Sequence, residues 1–320
     1  MASRPGPRVP ATAHVAEAVA GREQMRARYP DRTEFVVREG VRIFTEVYGA
    51  GSLPFLLLPS WAIVHSRVWK AQIPTLARHG MVVTFDPRGN GRTDRPRDPA
   101  AYSEREYAAD AVAVLDALGV ERALVVGLSK GAQRAVLLAA EHPDRVAGLV
   151  TIGPGTPFGL PDPRRKAESI DFEEVRDRYE GWARVNRHSW RRDYRGYIEF
   201  FMSQMLPESH STKELEDMVG WGLETDPETL LATVDGPDIE AEEWLAIAAS
   251  VHCPSLVIVG TEDHITGFDR GVQLARVLRA RLEVIEGAGH IPQARHPVHV
   301  NRLLLDFARS LERTVTAVEP

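Results

Sequence analysis

The chain has 320 residues, a formal net charge of −6 and a pI of about 6.0. That length can bury a large core, and the charge balance excludes a basic nucleic-acid surface. Cys253 is the only cysteine, so no intramolecular disulfide can form, and no apolar run reaches the roughly eighteen residues of a membrane-spanning helix.

Residues 1–32 read as an N-terminal tail. Pro5, Pro7 and Pro10 keep its start extended, and residues 12–28 could form one short helix with Val15, Val19 and Met25 as its apolar points. The tail is a candidate contact for a second subunit, which makes a homo-oligomer one expectation. Met1 to Pro10 is not followed by the apolar core of a secretory signal, so cytoplasmic residence is the default.

From Thr33 the pattern becomes strand-like. Phe35-Val36-Val37 and the run from Val41 to Tyr48 flank Glu39-Gly40, a hairpin turn. Phe55-Leu56-Leu57-Leu58 is apolar throughout, as in a central strand covered on both faces. A helix is predicted over 66–78, then a buried strand at Met81-Val82-Val83-Thr84-Phe85. Ser103 and Glu106 make a capping box for a helix ending near Gly119.

Leu124-Val125-Val126-Gly127-Leu128-Ser129-Lys130-Gly131 then joins a short apolar strand to a helical pattern through Gly-x-Ser-x-Gly. At such a turn the serine is held in a strained backbone conformation that projects its hydroxyl from the sheet edge. The N–H of Lys130 falls at the first turn of the helix, where it can donate to an oxyanion.

Val146 to Ile152 is the next strand, and the alternation predicts a mostly parallel sheet with helices on both faces. The pattern breaks over 155–236, a stretch rich in helix formers and aromatics, and resumes at Ser255-Leu256-Val257-Ile258-Val259-Gly260. Leu282 to Ile285 is a further strand, and a helix over 298–311 closes the chain. The expected organisation is a core of 33–154 and 237–320 with a helical cap of 155–236 that roofs the strand ends. Cys253, just before Pro254, reads as a small buried side chain.

A serine hydroxyl needs a base, and the base needs an orienting acid. Asp263 follows one buried strand and His290 follows the next, so Ser129, Asp263 and His290 appear in a workable order. Glu262 and Asp269 compete for the acid role, and His264, His296 and His299 for the base, but those histidines lie on polar stretches. There is no HExxH helix and no cysteine pair, so neither a metal nor another cofactor is expected. The arginines between Arg164 and Arg195 alternate with acids and read as a solvated helix face.

These features resemble the α/β-hydrolase superfamily over about 33–311. Strand–Gly-x-Ser-x-Gly–helix is similar to its nucleophile elbow, Gly260-Thr261-Glu262-Asp263 to its acid loop, and Gly287-Ala288-Gly289-His290 to its histidine loop. Asp86-Pro87-Arg88-Gly89-Asn90-Gly91-Arg92-Thr93-Asp94 resembles a loop of the capped, epoxide-hydrolase-like members. Those members carry an aspartate at the elbow, so Ser129 points away from epoxide or haloalkane chemistry. Pro59-Ser60 stands where the family usually has His-Gly. The resemblance then implies the backbone N–H groups of Trp61 and Lys130 as the oxyanion hole.

The expected function is a serine hydrolase of a small-molecule ester or lactone. Acyl transfer or carbon–carbon bond hydrolysis by the same residues, and a ligand sensor that keeps the fold, are the alternatives. Ser60, Trp61, Trp182, Trp190, Phe201, Met205 and Trp221 are the expected pocket residues.

Overall fold

A computed structural model describes residues 25–210 and 212–316. Eight strands form one sheet: β1 (Arg32–Arg38), β2 (Val41–Tyr48), β3 (Phe55–Leu58), β4 (Val82–Phe85), β5 (Ala123–Leu128), β6 (Val146–Ile152), β7 (Ser255–Gly260) and β8 (Arg281–Ile285). Their spatial order is β1-β2-β4-β3-β5-β6-β7-β8. The β1–β2 and β2–β4 pairs are antiparallel and the rest are parallel. The hairpin turns at Glu39 and Gly40, both at positive φ, as a two-residue turn between right-twisted strands requires.

Strand side chains alternate between faces. Leu124, Val126 and Leu128 join Val150, Ile152, Leu256 and Ile258 on one face, covered by Leu303, Leu304, Phe307 and Leu311 of helix Pro297–Thr316. Val125, Leu149, Val257 and Val259 pack on the other face against helices Glu104–Ala117, Lys130–Glu141 and Phe268–Val277. Cys253 is half-buried at the rim of that second core. Between β6 and β7 the chain is helical, including Tyr194–Met205, Lys213–Gly222 and Pro227–Asp235. Helix Ala241–Ala249, at the end of this stretch, buries Trp244 in the second core.

Three local expectations change. The helix expected over 66–78 is a 3-10 turn, Ser66–Trp69, and a separate short helix, Ile73–Leu76. Pro74 has no N–H to give the carbonyl four residues earlier, so the chain must restart with proline in a first turn. The capping box is half made. Ser103 accepts from the N–H of Glu106, but the Glu106 carboxylate turns to Arg38 and Arg88. The tail helix over 12–28 lies mostly outside the described residues; its last part, 25–28, is turn and irregular backbone. There Arg26 is bonded to Glu46 and Tyr48 of β2.

The loop after β4 is a brace. Asp86 accepts from the hydroxyl and N–H of Ser66 at 2.7 and 3.1 Å and from the N–H of Arg92 at 2.9 Å. Asn90 donates to the Ala62 carbonyl at 2.9 Å. Arg88 meets Asp110 through two bonds of 2.6 and 2.7 Å, and Arg38 adds a third of 2.7 Å. Arg88 and Asp110 are both buried, so neither charge can fall back on water. Removing one partner strands the other. Asp110→Ala should therefore cost about 3–5 kcal/mol in urea unfolding. A loss under about 1 kcal/mol would show that the arginines find other partners.

Candidate active site

Parallel strands deliver their carboxyl ends to one rim, and the expected chemistry collects there. β5 ends at Leu128, and Ser129 follows with φ 55 and ψ −117, outside the regions open to most side chains. The strain is held by packing. A Cβ at Gly131 would overlap the Pro59 carbonyl oxygen, so only glycine lets the helix after Ser129 approach the loop after β3 so closely.

Asp263 stands just beyond β7 and His290 just beyond β8. Nδ1 of His290 lies 2.9 Å from Oδ2 of Asp263, and both residues are buried. Asp263 also accepts from the N–H groups of Ile265 and Thr266 at 2.9 and 3.0 Å and from the Thr266 hydroxyl at 2.6 Å. Burial alone would push the Asp263 carboxyl up, but His290 and the Thr266 donors outweigh it and hold it far below the ordinary range. An ionised carboxylate only accepts, so the ring nitrogen facing it, Nδ1, carries a proton, and Nε2 is the position from which the ring can act as a base. That Nε2 is buried and has no hydrogen-bond partner among the described residues.

Ser129 and His290 line one cavity of about 310 Å³, together with Ser60, Trp61, Lys130, Trp190, Phe201 and Met205. Trp182 and Trp221, expected in the pocket, are not on its wall. Trp182 packs edge-on to Phe200 and Phe201, and Trp221 lies against His65 on the far side. Both are buried in the first core, Trp221 where the helical stretch meets His65 and Lys70. His264 faces Asp162 at 3.3 Å, and His299 is exposed near Glu283. Asp269 accepts from the N–H of Leu160 and lies away from His290's partner set.

Trp61 bridges the cavity mouth. Its indole N–H donates to the Thr233 hydroxyl at 2.7 Å, and its ring lies 5.8 Å from Trp190 and 6.1 Å from Phe201. Arg134 donates to the Ser60 carbonyl at 3.0 Å. That carbonyl and the Trp61 N–H share one planar trans peptide and point opposite ways, so fixing one fixes the other. Arg134 is itself held by Glu104 at 2.8 Å, with Lys130 on the other carboxylate oxygen at 3.2 Å. Burial would raise the Glu104 pKa, but Arg134 and Lys130 bring it below the ordinary value. Among the described residues no backbone acceptor takes the N–H of Trp61 or of Lys130.

Four contributors were not singled out in the sequence. Thr266 follows Asp263 closely enough to read as a loop partner, and that spacing was the available signal. Arg134 looks like an ordinary helix cation. Arg165 and Arg270 also line the cavity, so the solvated face expected for 164–195 does not hold at Arg165. Arg164 and Arg191 are exposed and pair with Glu168 and Glu228, while Arg187 is mostly buried against Glu173 and Asp235.

The alpha/beta hydrolase fold model matches residues 54–297. Epoxide hydrolase B of Mycobacterium tuberculosis is 34% identical over 200 residues, 59% of this chain and 49% of that protein. The chain thus spans about half the length of that relative. The 2-hydroxymuconate semialdehyde hydrolase of a Pseudomonas species is 28% identical over 300 residues, 87% of this chain and 94% of that protein. A solved structure described as an N-acyl homoserine lactone degrading enzyme is 28% identical with a TM-score of 0.69, covering 86% of this chain and 100% of its own.

The depressed Asp263 pKa sets a pH dependence. Its contribution to stability is complete above the unfolded value of about 3.9 and is lost as pH falls toward the folded value. Asp263→Asn should be less stable than wild type at neutral pH, and the gap should close as pH drops below about 4. Urea unfolding at stepped pH reads it. A gap that stays constant from about pH 5 to 3 would contradict the assignment.

Proposed function

The chain belongs to the alpha/beta hydrolase fold family, and from that premise we propose that it is a serine hydrolase acting on carboxylic esters or lactones. The observation that carries this reading is the His290 ring. Its Nδ1 is bound to Asp263 at 2.9 Å, and its buried, unpartnered Nε2 belongs to the same cavity wall as Ser129.

In this reading Ser129 Oγ attacks the carbonyl carbon while His290 Nε2 takes the hydroxyl proton. Asp263 stabilises the resulting imidazolium. The backbone N–H groups of Trp61 and Lys130 hold the tetrahedral oxyanion. The intermediate collapses to an acyl-serine as His290 gives its proton to the departing alkoxide. Water then attacks the acyl carbon and passes a proton to His290. A second collapse frees the acid and returns the proton to Ser129. In a lactone the leaving alkoxide stays tethered, so the product is one hydroxy acid. Residues 155–236 supply the aromatic roof.

Two relatives have names that invite comparison. One is called an epoxide hydrolase. A serine that opened an epoxide would form an ether, which has no carbonyl for water to attack, so turnover would stop there. Ser129 therefore favours acyl chemistry. The neighbour described as an N-acyl homoserine lactone degrading enzyme acts on a molecule that contains a lactone.

Ser129→Ala should lower kcat/KM on short p-nitrophenyl esters by about 10⁴-fold or more. A fluorophosphonate should label folded wild type at Ser129 and leave the variant unlabelled. Undiminished turnover in the variant would end this mechanism, and an unlabelled wild type would favour a ligand sensor.

A further inference from the structure

Several buried or half-buried guanidinium groups of this chain are answered by carboxylates, while Arg95, Arg122 and Arg192 reach backbone carbonyls instead. Arg88 has Asp110, Arg134 has Glu104, and Arg187 has Glu173 and Asp235. Arg165 and Arg270 too have no carboxylate partner among the described residues, and both line the cavity of Ser129 and His290. Arg165 donates through Nη1 to the Ile265 carbonyl and rests over the Trp182 ring at 4.8 Å. Arg270 has a buried Nε with no partner among the described residues.

The carboxylates nearby are already committed. Glu104 holds Arg134 and Lys130, and Asp263 holds His290 and Thr266. Asp162 accepts from the backbone N–H of Arg165 and faces His264, while Asp238 is exposed and accepts from the N–H of Ile239. Among the described residues none of them makes an ion pair with Arg165 or Arg270. Burial, and for Arg270 the neighbouring Arg165, lower both guanidinium pKa values, as expected of half-buried like charges. Asp263 acts on both from a distance and Asp162 on Arg165 without offsetting that burial, so the pair gains from a further anion that a bound molecule can bring. The planar fork of an arginine fits a carboxylate through two parallel bonds.

We propose that Arg165 and Arg270 bind a free carboxylate on the substrate, so that the preferred esters or lactones are anionic acids. The inference rests on the serine-hydrolase reading and adds the substrate's charge to it. The aromatic wall of Trp61, Trp190 and Phe201 takes the apolar part.

The test compares two matched pairs by kcat/KM. Mono-p-nitrophenyl adipate against p-nitrophenyl hexanoate places the acid on the acyl side. The hexanoyl ester of 4-hydroxybenzoate against phenyl hexanoate places it on the leaving group. In wild type at least one pair should favour the acid by roughly tenfold or more. That ratio should fall toward one in Arg165→Gln and Arg270→Gln and be largely kept in Arg270→Lys. Ratios near one in both pairs, or a ratio that survives both glutamine variants, would overturn the proposal. Wild type alone gives a second measure: adipate should compete with the neutral ester far better than adipamide, and equal inhibition would also overturn it. Neutral-ester turnover surviving Ser129→Ala would instead sink the mechanism. Turnover through Ser129 without acid preference would sink only the charge assignment.

Discussion

A carboxylate taken out of water must be met by donors or give up its charge. Asp263 is met by the Ile265 and Thr266 N–H groups, the Thr266 hydroxyl and His290 Nδ1. The first three belong to its own loop after β7, and the fourth comes from the loop after β8. The two loops are therefore one electrostatic unit. Turning either away would strand a buried anion, a cost of several kcal/mol. The geometry of the rim follows from this bond as much as from the sheet beneath it.

Ser129 is held by a different force. Its positive φ costs on the order of 1–3 kcal/mol, set against backbone bonds from its N–H to the Ile152 carbonyl at 2.9 Å and from the Ala132 N–H to its carbonyl at 3.0 Å. The further compensation is packing: β5 is buried along its whole length between two cores, and the next helix is pressed against the loop after β3. Strain at the proposed nucleophile and stability of the sheet are thus coupled. Any change that loosens the Gly131 contact lets the elbow relax.

How much of this was legible in the sequence depended on the range of the interaction. β3, β6 and β7 have the ends that their apolar runs imply, because a strand covered on both faces must be apolar throughout. Ser129 and Asp263 could be placed at the rim because each follows a strand buried on both faces, whereas His290 follows β8, an edge strand whose Val284 is exposed, and was placed by its Gly287-Ala288-Gly289 loop. The break at Pro74 was local and could have been read from the missing donor alone. Glu106 was misread because its choice of Arg38 and Arg88 over the helix start depends on residues far away in the chain. Trp182 and Trp221 were misplaced for a related reason: an aromatic in a helical stretch has an inner and an outer side, and only the packing of neighbouring helices decides which faces the cavity. Arg134 and Arg165 carried no signal at all. A cation amid acids looks solvated until the fold shows which acids are out of reach.

Once the acids are allotted, the two sides of the cavity differ in kind. Trp61, Trp190 and Phe201 make an aromatic side, tied across its mouth by the bond from Trp61 to Thr233. Arg165 and Arg270 make a cationic side next to Ile265 and Thr266, close to the loop that holds Asp263. Under the proposed mechanism His290 must become positive in the transition state. Asp263 answers that charge at 2.9 Å, but Arg165 and Arg270 draw on the same carboxylate, so a negative group that arrives with the substrate would leave more of it to His290. The bound molecule would then complete the charge balance of the site as well as occupy it. Neutral esters would leave the Asp263 carboxylate shared with the two arginines and lose rate as well as affinity, because His290 needs it most for a charge that develops only as the bond breaks.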